Sequence, residues 1–357
     1  MSWSAFGPEF ALLVRCCRWN FNKAEQASAI EPGQDLDWHL FVALAGRHRV
    51  QGLAWNALAK RAESLPDHAK QALSSDARSI AATNLAIAAE CQEIRLAFER
   101  AEVPLLFVKG LSVGALAYRS PLLKMGWDID LLIDPGALDR AASLLSERGY
   151  QLCEPRNLAA LGRWHGWSKE SVWSDGRFHV ELHTRLADNG LLIPTIDVRS
   201  ARQDVAITPQ ISLPTLAEEE LLAYLAVHGA SSAWSRLKWI ADFAALLEGR
   251  SGEEVERLYR RSQRFGAARA AGQALLVADR LFDTLGPSPA LRAELESDRS
   301  TRLLCHAALG MMTKGTDEPT ARRLGTLPIH WTQFVLKPGL GYKFSELRRQ
   351  AAAVVRR

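Results

Sequence analysis

The run Trp127-Asp128-Ile129-Asp130-Leu131-Leu132-Ile133 sets two carboxylates inside an otherwise apolar stretch. Side chains alternate across a strand, so Asp128 and Asp130 project from one face while Ile129 and Leu131 enter a core on the other. Two like charges on one face repel, and a buried strand end tolerates them when a cation neutralises the pair. Hard oxygen donors are what magnesium prefers. On spacing alone the pair fits solvated strand-end charges better than a metal site, and its meaning depends on what surrounds it.

The surroundings are mixed in texture. Between Val103 and about Leu186, short apolar runs are bounded by turn residues. Leu105–Val108 and Ile129–Ile133 read as strands, and Ala137–Arg148 reads as an amphipathic helix stopped by Gly149. Val172-Trp173 and Phe178–Leu182 flank Ser174-Asp175-Gly176, which predicts a hairpin closed by an Asp-Gly turn. This segment is an α/β core. On both sides of it the pattern is helical. Phe10, Leu13 and Val14, then Leu40, Val42, Leu44 and Ala45, recur at helix spacing; Pro32-Gly33 and Leu65-Pro66-Asp67 punctuate them, and Ser79–Ala101 reads as one long helix. Thr215 stands three residues before Glu218, predicting a capping box that opens a helix Leu216–His228. A further helix is expected over Ser235–Glu248, stopped by Gly249. The stretch Lys314–Tyr342, richer in Gly and Pro, is expected to lie extended over the surface. The expected organisation is an amino-terminal helical region 1–100, a core 101–200, and a carboxy-terminal helical region with an extended tail 201–357.

Charge and cysteine usage exclude several function classes. Lys and Arg number 44 against 40 Asp and Glu, a formal net charge of +4. Without a basic stripe, long nucleic-acid contacts are not expected. Five cysteines, none in a two-residue-spaced pair, fit reduced thiols and a cytoplasmic location. The first residues lack the basic, apolar and small-residue pattern of a leader, and no apolar window approaches the length of a membrane span.

Two other segments bear on the acids. The first is Leu105-Leu106-Phe107-Val108-Lys109-Gly110-Leu111-Ser112, an apolar strand that turns at Gly110 into a helical pattern. A glycine there lets the backbone approach a phosphate, and the following helix start offers free N–H groups. Ser112 adds a hydroxyl and Lys109 a positive charge, although an exposed turn lysine reads equally well. Gly114 is expected to pack the helix against the sheet. The second segment is Phe178-His179-Val180-Glu181-Leu182-His183. Its alternation puts Phe178, Val180 and Leu182 in the core and His179, Glu181 and His183 on the opposite face, which on its own reads as the wet face of an antiparallel strand. If that strand lies beside the Asp128–Asp130 strand, three acids converge. Zinc on His179 and His183 lacks further ligands at suitable spacing.

Taken in order, the Gly-Leu-Ser turn, Asp128-Ile129-Asp130-Leu131-Leu132-Ile133 and Val180-Glu181-Leu182-His183 resemble the DNA polymerase beta nucleotidyltransferase superfamily. More narrowly, the chain resembles the bacterial uncharacterised nucleotidyltransferase family, including His228-Gly229-Ala230, the segment Trp234–Asp242, and the opening Pro8-Glu9-Phe10 and Arg15–Arg18. The resemblance implies an α+β fold, with a small mixed sheet nucleotidyltransferase core flanked by helical regions. It implies Asp128, Asp130 and Glu181 as catalytic acids and metal ligands, with Gly110 and Ser112 at the triphosphate. Two departures stand out: Leu111 separates Gly110 from Ser112, and Lys124 stands where relatives often carry arginine, keeping the charge without the bidentate fork. Lys109 and Lys124, with Arg236 and Lys238 on the later helix, complete the expected nucleotide-binding set. Lys238 and Asp242, four apart, also fit a surface pair, and His228 fits a cationic ring at a helix end. Trp127 is the tryptophan placed to stack on a base; the others read as core.

The activity implied is magnesium-dependent, with manganese as the alternative ion. A nucleoside monophosphate passes from a nucleoside triphosphate such as ATP to a hydroxyl or phosphate on a peptide, protein, small molecule or glycan precursor, and pyrophosphate leaves. The competing expectations are a noncatalytic nucleotide-binding scaffold and a tRNA-modifying or toxin-like transferase.

Overall fold

A computed structural model describes residues 6–18, 36–313 and 315–355. The expectations at Pro32-Gly33 and the first five residues lie outside them. Five strands form one sheet: β1 (Leu105–Phe107), β2 (Asp128–Ile133), β3 (Gln151–Glu154), β4 (Glu170–Ser174) and β5 (His179–His183). Their order is β1-β2-β5-β4-β3. Only β2 and β5 run parallel; the other neighbours are antiparallel. This is the small mixed sheet, flanked by helices, of an α+β fold.

The β4–β5 hairpin closes where its turn chemistry dictates. Asp175 Oδ1 accepts from the backbone N–H of Arg177 (2.8 Å) and Phe178 (2.6 Å), and Gly176 sits at φ +88°. Closure there pairs Ser174 with His179, and counting back along the ladder sets Glu170 opposite His183. The parallel β2–β5 pair sets Asp130 opposite Glu181.

The alternation in β2 separates two cores. Ile129, Leu131 and Ile133, with Val180 and Leu182, face the second half of the long helix Asp67–Arg100 (Ile87, Cys91, Ile94, Phe98) and the helix Leu138–Glu147. Burying each such side chain contributes about 1.5–3 kcal/mol. The opposite face of the sheet, which carries Leu106 and Leu132, packs into a second cluster built from the amino-terminal helices and the helices Glu218–Ser231 and Leu237–Leu247. Asp128, Asp130 and Glu181 belong to that face. The acids therefore lie where sheet meets helices.

Four local expectations are corrected. The long helix begins at Asp67, twelve residues before the expected start at Ser79. Thr215 caps nothing: it belongs to β7 (Ser212–Leu216), which pairs with β6 (Arg202–Ala206) in a hairpin that the sequence pattern did not suggest, and the helix starts at Glu218 behind Ala217. The reciprocal capping box is at Ser251 and Glu254. The segment 315–342 is not extended: turns link a short helical turn at Pro319–Ala321, the helix Leu327–Gln333 and the start of the helix Leu340–Val355.

His48 ties the two helical flanks together: it is fully buried, and its Nδ1 accepts from the Leu237 N–H at 3.1 Å. Burial, reinforced by neighbouring Arg47, pushes its pKa down to about 3. Between that value and the unfolded value near 6.5 the unfolded chain binds the extra proton, so this contribution to stability is complete above pH 6.5 and is lost as pH falls. The native chain's stability advantage over His48→Gln is expected to shrink by about 1.4 kcal/mol from pH 7.5 to pH 5.5. Urea unfolding at the two pH values measures this, and an unchanged difference would contradict a neutral buried ring.

Candidate functional site

Strand β1 ends at Phe107, and Gly110 then takes φ +62°, ψ −123°, a conformation that only glycine adopts without strain. Its ideal Cβ would sit 3.8 Å from the Asp128 carbonyl. From this turn the helix Leu111–Tyr118 departs, and the turn drops Lys109 into the acid-bearing face. The Lys109 ammonium contacts Asp130 Oδ1 and lies 3.6 Å from Glu181 Oε2. Ser112 is fully buried, outside the cleft lining, and its hydroxyl has no hydrogen-bond partner. Gly114 packs its helix not on the sheet but on the loop after it, with an ideal Cβ 3.3 Å from Lys124 Cβ. The long helix fixes the same loop, because Asn84 Nδ2 donates to the carbonyls of Pro121 and Lys124, both at 2.7 Å.

Around Asp130 the charges interlock. His183 Nε2 is 3.1 Å from Asp130 Oδ1 and 3.5 Å from Glu181 Oε2. His183 Nδ1 lies 3.2 Å from Glu170 Oε2, which in turn pairs with Lys169 Nζ at 2.9 Å. Burial alone would protonate Asp130, but Lys109 and the His183 hydrogen bond outweigh it and hold the carboxyl well below its usual range. Burial likewise opposes the charge on Lys109, yet Asp130 and its neighbours keep the amine protonated. Glu181 differs: burial raises its pKa, and the nearby Asp130 charge adds to that. Two carboxylates a strand apart are thus split into a firmly ionised one and a more basic one.

Asp130, Glu181 and His183 each offer a donor atom, and these atoms all lie within 4.8 Å of one another. An imidazole and two carboxylates that converge, with an ammonium already against the carboxylates, fit a divalent cation. Asp128 is outside that trio but lines the same cleft, half-buried at the mouth of β2.

The cleft is walled by cations. Arg49, Lys109, Gly110, Lys124, Lys169, Arg236 and Lys238 face it together with Asp128, Asp130, Glu170 and Glu181. Lys124 Nζ pairs with Asp242 Oδ2 at 3.2 Å, and Asp242 also accepts from Tyr118 Oη at 2.8 Å. Asp242 is buried, and its ion pair is with Lys124 rather than Lys238. Arg236 lies over the Trp239 ring, 5.4 Å from its centroid, and its guanidinium pairs with Glu318 at 2.9 Å. Lys238, desolvated and facing Lys124, has its pKa pushed down to about 7. His228 is not a cationic cap: burial and the neighbouring lysines lower its pKa well below the usual value. Trp127 is 60% exposed and His179 is exposed; neither lines the cleft.

His183, Glu170, Lys169 and Arg49 escaped the sequence reading as site residues. Glu170 was within reach, since the Asp-Gly turn fixes a ladder that ends at Glu170 and His183. Nothing in the sequence around Arg49 links it to residues 109–242.

A small mixed sheet with paired acids beside a glycine turn, opening on a cation-lined cleft, is the arrangement of a nucleotidyltransferase. The family model described as uncharacterised nucleotidyltransferase matches residues 34–283. The chain belongs to that family, and it is a transferase enzyme that uses a nucleoside triphosphate. A search of curated proteins finds no match. Among the described residues no helix is long and apolar enough to cross a membrane.

Proposed function

We propose that the chain transfers a nucleoside monophosphate from a nucleoside triphosphate to a hydroxyl or phosphate on a peptide, protein, small molecule or glycan precursor. The observation that carries this reading is the convergence of Asp130 and Glu181, from two parallel strands, at the floor of a cleft whose walls are Lys109, Lys124, Arg236 and Lys238. Asp130 and Glu181, with Asp128 at the mouth, would hold magnesium. When bound, the ion polarises the phosphoryl oxygens and neutralises charge that builds on the leaving pyrophosphate.

The chain's own groups do the rest. The lysines and Arg236 bind and orient the triphosphate, and the free N–H groups after Gly110 approach its oxygens. The acceptor oxygen attacks the alpha phosphorus, the bond to the beta-bridging oxygen breaks, and pyrophosphate carries away the electron pair. A carboxylate of the acid cluster takes the acceptor's proton. Among the described lining residues Trp239 and His228 carry the aromatic rings, which meet edge-on at 5.6 Å, so base choice rests on that side of the cleft.

Each alpha-labelled nucleoside triphosphate, incubated with magnesium, cell extract and either the native chain or Asp128→Asn/Asp130→Asn, tests the assignment. Label is expected on an acceptor with the native chain alone. Equal labelling by both proteins would refute it.

A further inference from the structure

Histidines buried in this chain fall into two groups. His48 meets a backbone N–H, and His165 meets the hydroxyls of Thr184 (2.9 Å) and Ser171 (3.0 Å), which are ordinary ways to satisfy a core ring. His183 is also fully buried, but its ring nitrogens meet carboxylates: Asp130 and Glu181 at Nε2, Glu170 at Nδ1. One ring nitrogen faces the acid pair, and the other lies 3.2 Å from Glu170 Oε2 without the alignment of a hydrogen bond, so both of these buried atoms are left without a hydrogen-bond partner; ligating histidines are often held by a carboxylate at that second nitrogen.

The ladder builds this arrangement. The β5 alternation that points Glu181 at the acid-bearing face points His183 there too, and β4 supplies Glu170 opposite His183. Lys169 anchors Glu170 at 2.9 Å, so the rear carboxylate is fixed without using the ring. The Lys109 ammonium already lies against the same acids, so this position favours positive charge in the bare protein. Imidazole suits iron, nickel, copper and zinc best, and manganese, the first member of that affinity order, still accepts a nitrogen donor more readily than magnesium, which prefers oxygen throughout.

We propose that His183 gives the metal a nitrogen ligand through Nε2, that Glu170 is the residue positioning its ring, and that this donor shifts the site's preference from magnesium towards manganese. This rests on the metal-dependent reading above. The step from bare to loaded site needs only the Nε2 proton to leave to solvent and the Lys109 ammonium to withdraw.

The test uses the full chain with manganese(II) alone. Pulsed electron paramagnetic resonance of the bound ion should show nitrogen modulation that changes when the chain's histidines carry nitrogen-15. The coupling should persist in His228→Gln, the histidine that lines the cleft, and vanish in His183→Gln. Glu170→Gln should weaken manganese binding about 10–100-fold, with a smaller effect on magnesium in competition. Bound manganese without histidine coupling in the native chain, coupling lost in His228→Gln instead, or unchanged affinity in Glu170→Gln would overturn the proposal. Asp130→Asn separates the two levels: if it binds manganese as the native chain does, the metal site itself is misplaced, whereas bound manganese that depends on Asp130 but lacks nitrogen coupling removes only the role of His183.

Discussion

Asp130→Asn is expected to lower the rate of nucleotidyl transfer on the order of 10³-fold while leaving triphosphate affinity within about threefold. The asymmetry follows from where the charges lie. Lys124, Arg236 and Lys238 line the cleft walls, and Lys124 and Arg236 pair with Asp242 and Glu318 rather than with Asp130, so ground-state binding of the phosphates survives. Asp130 instead meets Lys109 and His183 at the floor, where charge develops only during transfer. A loss of about 4 kcal/mol of transition-state stabilisation corresponds to that factor. Removing the carboxylate leaves Lys109 with the more distant Glu181, so the variant's unfolding midpoint is measured alongside its kinetics. A rate within tenfold of the native value, in a folded variant, would contradict the placement of chemistry at Asp130.

The largest stability effect is expected at Trp234, where truncation to alanine should cost about 3–5 kcal/mol. Trp234 is fully buried, and its ring fills the space beside Gly229: an ideal Cβ there would lie 2.5 Å from the indole. The ring meets Phe243 edge-on at 6.1 Å, and its backbone N–H donates to the Gly229 carbonyl at 2.8 Å. Ala233 and Trp234 both take positive φ, +47° and +49°, so packing around the indole compensates for two residues in the left-handed region. Denaturant unfolding of Trp234→Ala gives the value, and a loss under about 1 kcal/mol would contradict this role. Arg236 and Lys238 begin two residues further on, so the same truncation is expected to weaken triphosphate binding from a distance.

Much of the sheet was legible because its signals are local. The Asp-Gly turn, the alternation through Val180 and Leu182, and the glycine stop at Gly149 each act within a few residues, and the strands and helix they predict are present. The β6–β7 hairpin was not legible: Thr215 and Glu218 satisfy a capping-box pattern, and cross-strand pairing of Thr215 with Gln203 overrode it. The tail misled in the same way, since Gly and Pro at 315–342 mark short helical segments and their junctions rather than an extended path.

The site divides along the same line. Alternation alone puts Asp128 with Asp130 and Glu181 with His183, but only the parallel register of β2 on β5 shows that Asp130 meets Glu181 and His183. Lys109 reads in sequence either as a phosphate contact or as an exposed turn lysine, and the folded chain sets it against Asp130 and near Glu181. The partners of Lys124 and Arg236, Asp242 and Glu318, are far along the chain, and no local pattern points to them.

The walls of the cleft begin at Arg49 and end at Asp242, and the acids lie between. No short contiguous fragment therefore carries the site. A cut in the exposed Asp175-Gly176 turn separates Asp130 from Glu181 in sequence while leaving both strands whole, so two fragments split there must reassemble the β4–β5 ladder before either regains a complete floor. Reconstitution from such halves would turn activity itself into a reporter of strand pairing.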